Sequence, residues 1–168
     1  MAFEIIALDM DGTLLDSRKR VLPSSVAAVE RAAAAGKTVA ICSGRCPVMV
    51  TKYRDELPGV RYAICCAGAM IYDMEHDRVV DETNLDPAFI SHALDVAEEE
   101  GFFLLEVTSG TGIYMQADEM SQAARCGVGI YEQLYHETST VIADAHAFAR
   151  RPDVPQSKLN FHFADVAA

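Results

Sequence analysis

Basic residues are scarce in this chain. Lys and Arg number 14 against 25 Asp and Glu, a formal net charge of −11. Phosphate backbones are gripped by clustered cations, so this balance argues against nucleic acid as a partner. Long apolar runs are lacking too: no stretch reaches the roughly 18 residues of a membrane-crossing helix. The N-terminus, Met1-Ala2-Phe3-Glu4, has no basic region and does not read as a signal peptide. Cysteine is odd in number, at five. Without a secretion signal, that count predicts reduced thiols and a cytoplasmic location. Internal repeats, low-complexity tracts and a dense cysteine framework are missing, which excludes a collagen, a coiled coil and a disulfide miniprotein. What remains is globular. The chain has 168 residues, 51% hydrophobic and 23% charged, enough apolar mass for a sizeable core in about one domain.

The pattern along the chain alternates. Phe3 to Leu8 reads as a buried strand that stops at Asp9. Pro23 opens a helix from Ser24 to Ala35, and Gly36 closes it. Thr38 to Cys42 is a second strand and Pro47 to about Leu57 a second helix. Tyr62 to Cys66 is a third strand. Strands joined by helical crossovers predict a parallel sheet of right-handed βαβ units. Near Thr83 the pattern changes. Met70–Asp73 and Val79–Asp81 form a hairpin, and Asp86-Pro87 starts a helix to about Glu100. Phe102–Glu106 and Gly112–Met115 are paired strands. A weaker helix covers about Met120 to Tyr135, a short one His146 to Arg150, and Lys158 to Phe163 alternates like a strand.

The segment with chemistry in it is Asp9-Met10-Asp11-Gly12-Thr13-Leu14-Leu15, directly after the first strand. Ligands of doubly wound sheets bind beyond the carboxyl ends of the strands. Two carboxylates two positions apart there can face one crevice, and Gly12 lets the backbone turn and expose N–H groups as an anion cradle. Acids beside an anion cradle are reconciled by Mg²⁺, which takes carboxylate and carbonyl oxygens plus a substrate phosphate.

This segment resembles motif I of the haloacid dehalogenase superfamily in its phosphatase form. Ser43-Gly44-Arg45, at the end of the second strand, looks like motif II. The spacing, the hairpin and the insertion point resemble the Cof-type subfamily with a C2B cap, similar to trehalose- and sucrose-phosphate phosphatases and phosphomannomutase. The resemblance implies an α/β fold: residues 1–82 as the N-terminal portion of a doubly wound core, and 83–168 as an inserted α+β cap, both incomplete. It implies a phosphatase of small phosphorylated metabolites such as sugar phosphates, working through an aspartyl-phosphate. Asp9 would be nucleophile and Mg²⁺ ligand. Asp11 would be general acid, then base, with its carbonyl a second Mg²⁺ ligand. Ser43, the backbone N–H groups of Met10, Asp11 and Gly44, and the Arg45 guanidinium would hold the phosphoryl group. The cap would close over the site and exclude water.

Two departures stand beside the resemblance. Ala67-Gly68 follows the third strand where Cof-type proteins usually carry Asn-Gly. The motif III Lys and the motif IV acidic pair have no counterpart: Lys158, in Ser157-Lys158-Leu159-Asn160-Phe161, reads as part of a cap strand. The chain therefore reads as truncated, with an open edge on the first strand that a homodimer or strand exchange would cover. Binding of phosphate, Mg²⁺ or a partner without turnover is the alternative. A receiver-like domain phosphorylated on Asp9 is a third reading, opposed by the second α+β segment. Plainer assignments also exist: Asp9 and Asp11 as turn acids, Ser43-Gly44 as a turn, and Glu98-Glu99-Glu100 as a solvated helix end. Cys42, Cys46, Cys65 and Cys66 have no zinc spacing and read as core thiols; His76, His92, His136, His146 and His162 show no metal spacing.

Overall fold

The computed structural model describes residues 3–102 and 104–164. Phe103, which the sequence places in a strand, lies outside the described residues. The β-branched run after Glu4 forms β1 (Ile5–Asp9). Gly12, at φ +81°, reverses the chain behind it, a conformation a side chain would oppose. The N–H groups of Leu14 and Leu15 return to the Met10 carbonyl at 3.1 and 2.8 Å, and Met10 is fully buried. Pro23 presets the first turn of α1 (Pro23–Ala34). Then come β2 (Thr38–Cys42), α2 (Pro47–Thr51) and β3 (Val60–Cys65). The second helix is shorter than the sequence predicts, which extended it to Leu57. Past Thr51, the amides of Tyr53, Arg54, Glu56 and Leu57 bond three residues back, not four. Val48, Val50 and Thr51 are β-branched and weaken the α-helical alternative.

Strands β1, β2 and β3 run parallel, and β4 (Met70–Asp73) and β5 (Arg78–Glu82) return antiparallel, in the order β1-β2-β3-β4-β5. Right-handed crossovers between adjacent parallel strands put α1 and α2 on one face. Val29, Val39, Ile41, Val50 and Ala63 bury that face. Gly59 lets the chain pass close to α1: a Cβ there would stand 2.9 Å from Val29 Cγ1. Strand β1 is the sheet edge. The Glu4 carbonyl accepts from the Thr38 N–H at 2.9 Å, so the alternation of a parallel ladder aims the N–H and C=O groups of Ile5, Ala7 and Asp9 away from β2. Ile5 is 66% exposed. Between β1 and α1 an open apolar cleft of about 250 Å³ is walled by Ile6, Leu8, Leu14 and Val29.

The chain divides into two compact units, Met1–Thr83 and Asn84–Ala168. In the second, Asp86 caps α3 (Pro87–Glu99), its carboxylate accepting from the Ala88 and Phe89 N–H groups at 2.7 and 3.3 Å. Strands β6 (Leu104–Ser109) and β7 (Gly112–Gln116) form the expected hairpin. The single helix expected near 120–135 is instead broken. It becomes α4 (Ala117–Met120), two 3₁₀ turns, and α5 (Glu132–Thr138). Gly127 breaks it, adopting φ +70°. Strand β8 (Ser139–Ile142), which the sequence reading missed, pairs parallel to β7. After α6 (Ala145–Ala149), β9 (Lys158–His162) completes the order β8-β7-β6-β9. Ile90 and Leu94 of α3, Leu105 and Val107 of β6, and Ala145 and Ala149 of α6 form its core. No described helix is long and apolar enough to cross a membrane.

Candidate active site

The parallel register sets Asp9 opposite Cys42, and Cys42 opposite Ile64, at the carboxyl ends of β1, β2 and β3. A pocket of about 340 Å³ opens there, lined by Asp9, Cys42, Ser43, Gly44, Ala67 and Gly68 among others. Asp9 is exposed, and among the described residues nothing hydrogen-bonds or ion-pairs with its carboxylate. The Ser43 hydroxyl oxygen accepts from the Arg45 N–H at 3.2 Å, which leaves its own proton to donate. The floor of the pocket is stitched across strands. The Cys66 N–H donates to the Arg45 carbonyl at 2.9 Å and the Ala67 N–H to the Ser43 carbonyl at 3.2 Å. These bonds hold Cys66 and Ala67 in left-handed conformations, φ +54° and +56°. Such backbone costs a non-glycine residue about 1–2 kcal/mol, so its persistence at a pocket is informative.

The second aspartate stands apart from this pocket lining. The Arg45 Nε and Nη2 donate to Asp11 Oδ2 and Oδ1 at 3.0 and 2.8 Å, a two-toothed grip. Lys19 Nζ donates to the same Oδ1 at 2.6 Å. Tyr53 ties the cations together: its hydroxyl accepts from Arg45 Nη1 at 3.4 Å and donates to the Lys19 carbonyl at 3.2 Å. Partial burial would raise the Asp11 carboxyl, but the hydrogen bonds and charges of Arg45 and Lys19 win and hold it below its ordinary value. Burial likewise opposes the Arg45 charge, and Asp11 and Tyr53 outweigh it. In this arrangement Asp11 is an ionised carboxylate with both oxygens engaged by cations.

The structure thus gathers Asp9, Ser43 and Gly44 around one pocket and joins Asp11 to Arg45 beside it. Met10 is fully buried, main chain included, and presents no exposed surface to the pocket. Lys19 and Tyr53 escaped the sequence reading. The one signal for Lys19 was the basic run Arg18-Lys19-Arg20 just after the motif; Tyr53, on a turn past α2, had none. The donor set suits a hard cation. The unengaged Asp9 carboxylate and the Asp11 carbonyl offer oxygen atoms that would suit Mg²⁺, which commonly takes one or two protein oxygens alongside water and phosphate. Asp73, Glu75 and His76 also cluster, at the far end of β4. There the Asp73 carboxylate is committed to the turn, accepting from the Glu75 and His76 N–H groups at 3.0 and 3.1 Å. Burial of Cys65, with Cys66, Cys46 and Cys42 nearby, pushes its thiol up to about 12, so it is inert beside the pocket.

Residues 6–159 match the family model of haloacid dehalogenase-like hydrolases. Over 98 residues the chain is 41% identical to the pyridoxal phosphate phosphatase YbhA of Escherichia coli, covering 58% of this chain and 35% of that protein. Among solved structures it is similar to a haloacid dehalogenase-like hydrolase from B. subtilis, with TM-score 0.73 and 22% identity over 92% of this chain and 59% of the other. It is also similar to the subclass IIB sugar phosphatase BT4131, with TM-score 0.68 and 18% identity over 90% of this chain and 56% of the other. The chain spans little more than a third of the curated relative's length.

Proposed function

The chain belongs to the haloacid dehalogenase-like hydrolases, and from that premise we propose that it carries the nucleophile half of a phosphatase for small phosphorylated metabolites. The observation behind this reading is the Asp9 carboxylate, unengaged and exposed in a pocket that also holds Ser43 and Gly44. Asp9 would attack phosphorus in line, forming an acyl phosphate as the bond to the leaving oxygen breaks. Asp11, once off its cations and protonated, would give its proton to that oxygen. Water would then attack the phosphoryl group, passing a proton to Asp11 and releasing Asp9 and phosphate. The Ser43 hydroxyl and the Gly44 N–H would donate to the phosphoryl oxygens where charge accumulates. Asp9 and the Asp11 carbonyl would hold Mg²⁺, which when bound supplies charge neutralisation at the phosphoryl group.

The first unit is accordingly assigned as the core portion and the second as a cap-type insert. A pyridoxal phosphate phosphatase and a sugar phosphatase among the similar proteins support phosphomonoesters of small metabolites as the substrate class. Five free thiols support a reducing compartment, the cytoplasm. The test is phosphate release from an aryl phosphate with Mg²⁺ present, wild type against Asp9→Asn. We expect a loss of at least ~10³-fold in the variant; equal turnover would remove Asp9 from its role. The Asp11 carboxylate, held by Arg45 and Lys19, favours a second reading in which the chain binds phosphate without turnover. Phosphate-dependent shifts in the pocket amides with no release in wild type would select it.

A further inference from the structure

Lys19 sits where its conformation is least comfortable. It is at φ +58° at the tip of a short reversal closed by a bridge between Leu15 and Val21. A left-handed backbone suits glycine; a lysine persists there only when its surroundings over-determine it. They do. The Asp16 carboxylate accepts from the Arg18 and Arg20 N–H groups at 2.8 and 3.0 Å, and the Asp16 carbonyl accepts from the Lys19 N–H at 2.9 Å. The Tyr53 hydroxyl fixes the Lys19 carbonyl from the other side at 3.2 Å. The product of these constraints is one placement: the ammonium 2.6 Å from Asp11 Oδ1, partly shielded from solvent. Together with Arg45 it occupies both oxygens of that carboxylate.

We propose that Lys19 is a positioning residue for Asp11, holding its carboxylate beside Arg45, and that a phosphate anion competes with Asp11 for the ammonium. The inference rests on Asp11 being the proton-transfer residue of the proposed phosphatase. It adds a role for the Leu15–Val21 reversal: a tethered cation that binds the carboxylate or the substrate, but not both in full. A dianion competes well, because it carries more charge than the carboxylate and accepts in several directions.

The chain has only four lysines, Lys19, Lys37, Lys52 and Lys158, so their ammonium groups can be resolved by ¹⁵N-lysine NMR of the chain as it is. The Lys19 signal should stand out through slow proton exchange. Asp11→Asn should return it to the exposed-lysine position. Tyr53→Phe should speed its exchange while leaving the other three signals in place. Inorganic phosphate should shift Lys19, and Lys19→Arg should keep phosphate affinity within about threefold of wild type while Lys19→Ala weakens it roughly tenfold, the range of one ion pair in a partly shielded site. A Lys19 signal indifferent to Asp11→Asn, or to phosphate, overturns the proposal. If phosphate moves the Ser43 and Gly44 amides but not Lys19, the positioning role alone fails. If it moves neither, the anion site fails with it.

Discussion

Removing one carboxylate should cost the second unit a large part of its stability. Glu106 lies in the middle of β6 and is 6% exposed. Its carboxylate accepts from the Tyr135 hydroxyl at 2.6 Å and the Asn160 amide at 3.1 Å, and it pairs with His162 Nε2. Burial pushes this carboxyl up, yet His162, Tyr135 and Asn160 together hold it below its ordinary value of 4.5. In Glu106→Leu the partners keep their places and lose their acceptor. Leaving a buried donor without its acceptor costs about 1–3 kcal/mol, and three donors lose theirs here, so the loss should be about 3 kcal/mol or more. A unit of this length has about 4–13 kcal/mol in all. With a urea slope near 1 kcal/mol/M, the midpoint should fall by about 3 M or the unit should fail to fold. Glu106→Gln keeps an acceptor oxygen but not the charge, and should lose about 1.5–3 kcal/mol. The pH dependence has a definite sign. A lowered folded-state value means that the carboxylate's contribution is present above its unfolded value and vanishes as pH falls through the folded one. The gap between wild type and Glu106→Gln should therefore narrow below about pH 4. Urea denaturation followed by circular dichroism at pH 7 and pH 3 measures both effects. A Glu106→Leu protein within about 0.5 kcal/mol of wild type would refute the argument, since surface changes rarely exceed that amount.

Two other perturbations follow from the packing. His146 lies between Glu119 and Glu98, 2.9 and 3.3 Å away. Partial burial lowers it, but the two carboxylates outweigh burial and raise it above 6.5; its stabilisation is full below that value and lost as pH rises through the folded one. Thermal melts should fall from about pH 6 to 8 in wild type and stay flat over that range in His146→Gln; parallel curves would refute the assignment. In the first unit, Gly59→Ala drives a methyl to 2.9 Å from Val29 Cγ1 and 3.1 Å from the Val29 carbonyl. The expected cost is about 1–3 kcal/mol by chemical denaturation, and Val29→Ala should recover part of it in the double variant.

Local signals read from the sequence survived wherever one residue dictates the backbone. Pro23 and Pro87 start helices, Asp86 caps one, and Gly12 turns the chain after Asp9. The signals failed where elements are short and propensity is divided. The helix past Pro47 tightens after Thr51, the stretch around Gly127 breaks into turns, and Ser139–Ile142 follows α5 with no Gly or Pro to announce a strand. Pairing to β7 alone made it one.

The same division holds for the site. Asp9, Ser43 and Gly44 were legible because each ends a strand or opens the loop after it, and a parallel register brings strand ends together wherever the crossovers run. The state of Asp11 was not legible. It depends on Lys19, Arg45 and Tyr53, whose side chains meet only after the sheet forms and the Leu15–Val21 reversal closes. Glu106, Tyr135, Asn160 and His162 meet in the same way, from positions far apart in the chain. The aspartates at and after the first strand's end and the glycine turn behind them were legible in the residues alone, because they follow from local backbone chemistry. Tertiary structure alone decided which carboxylates stay charged and what restrains them, because Coulomb and hydrogen-bond energies depend on distances that only packing sets.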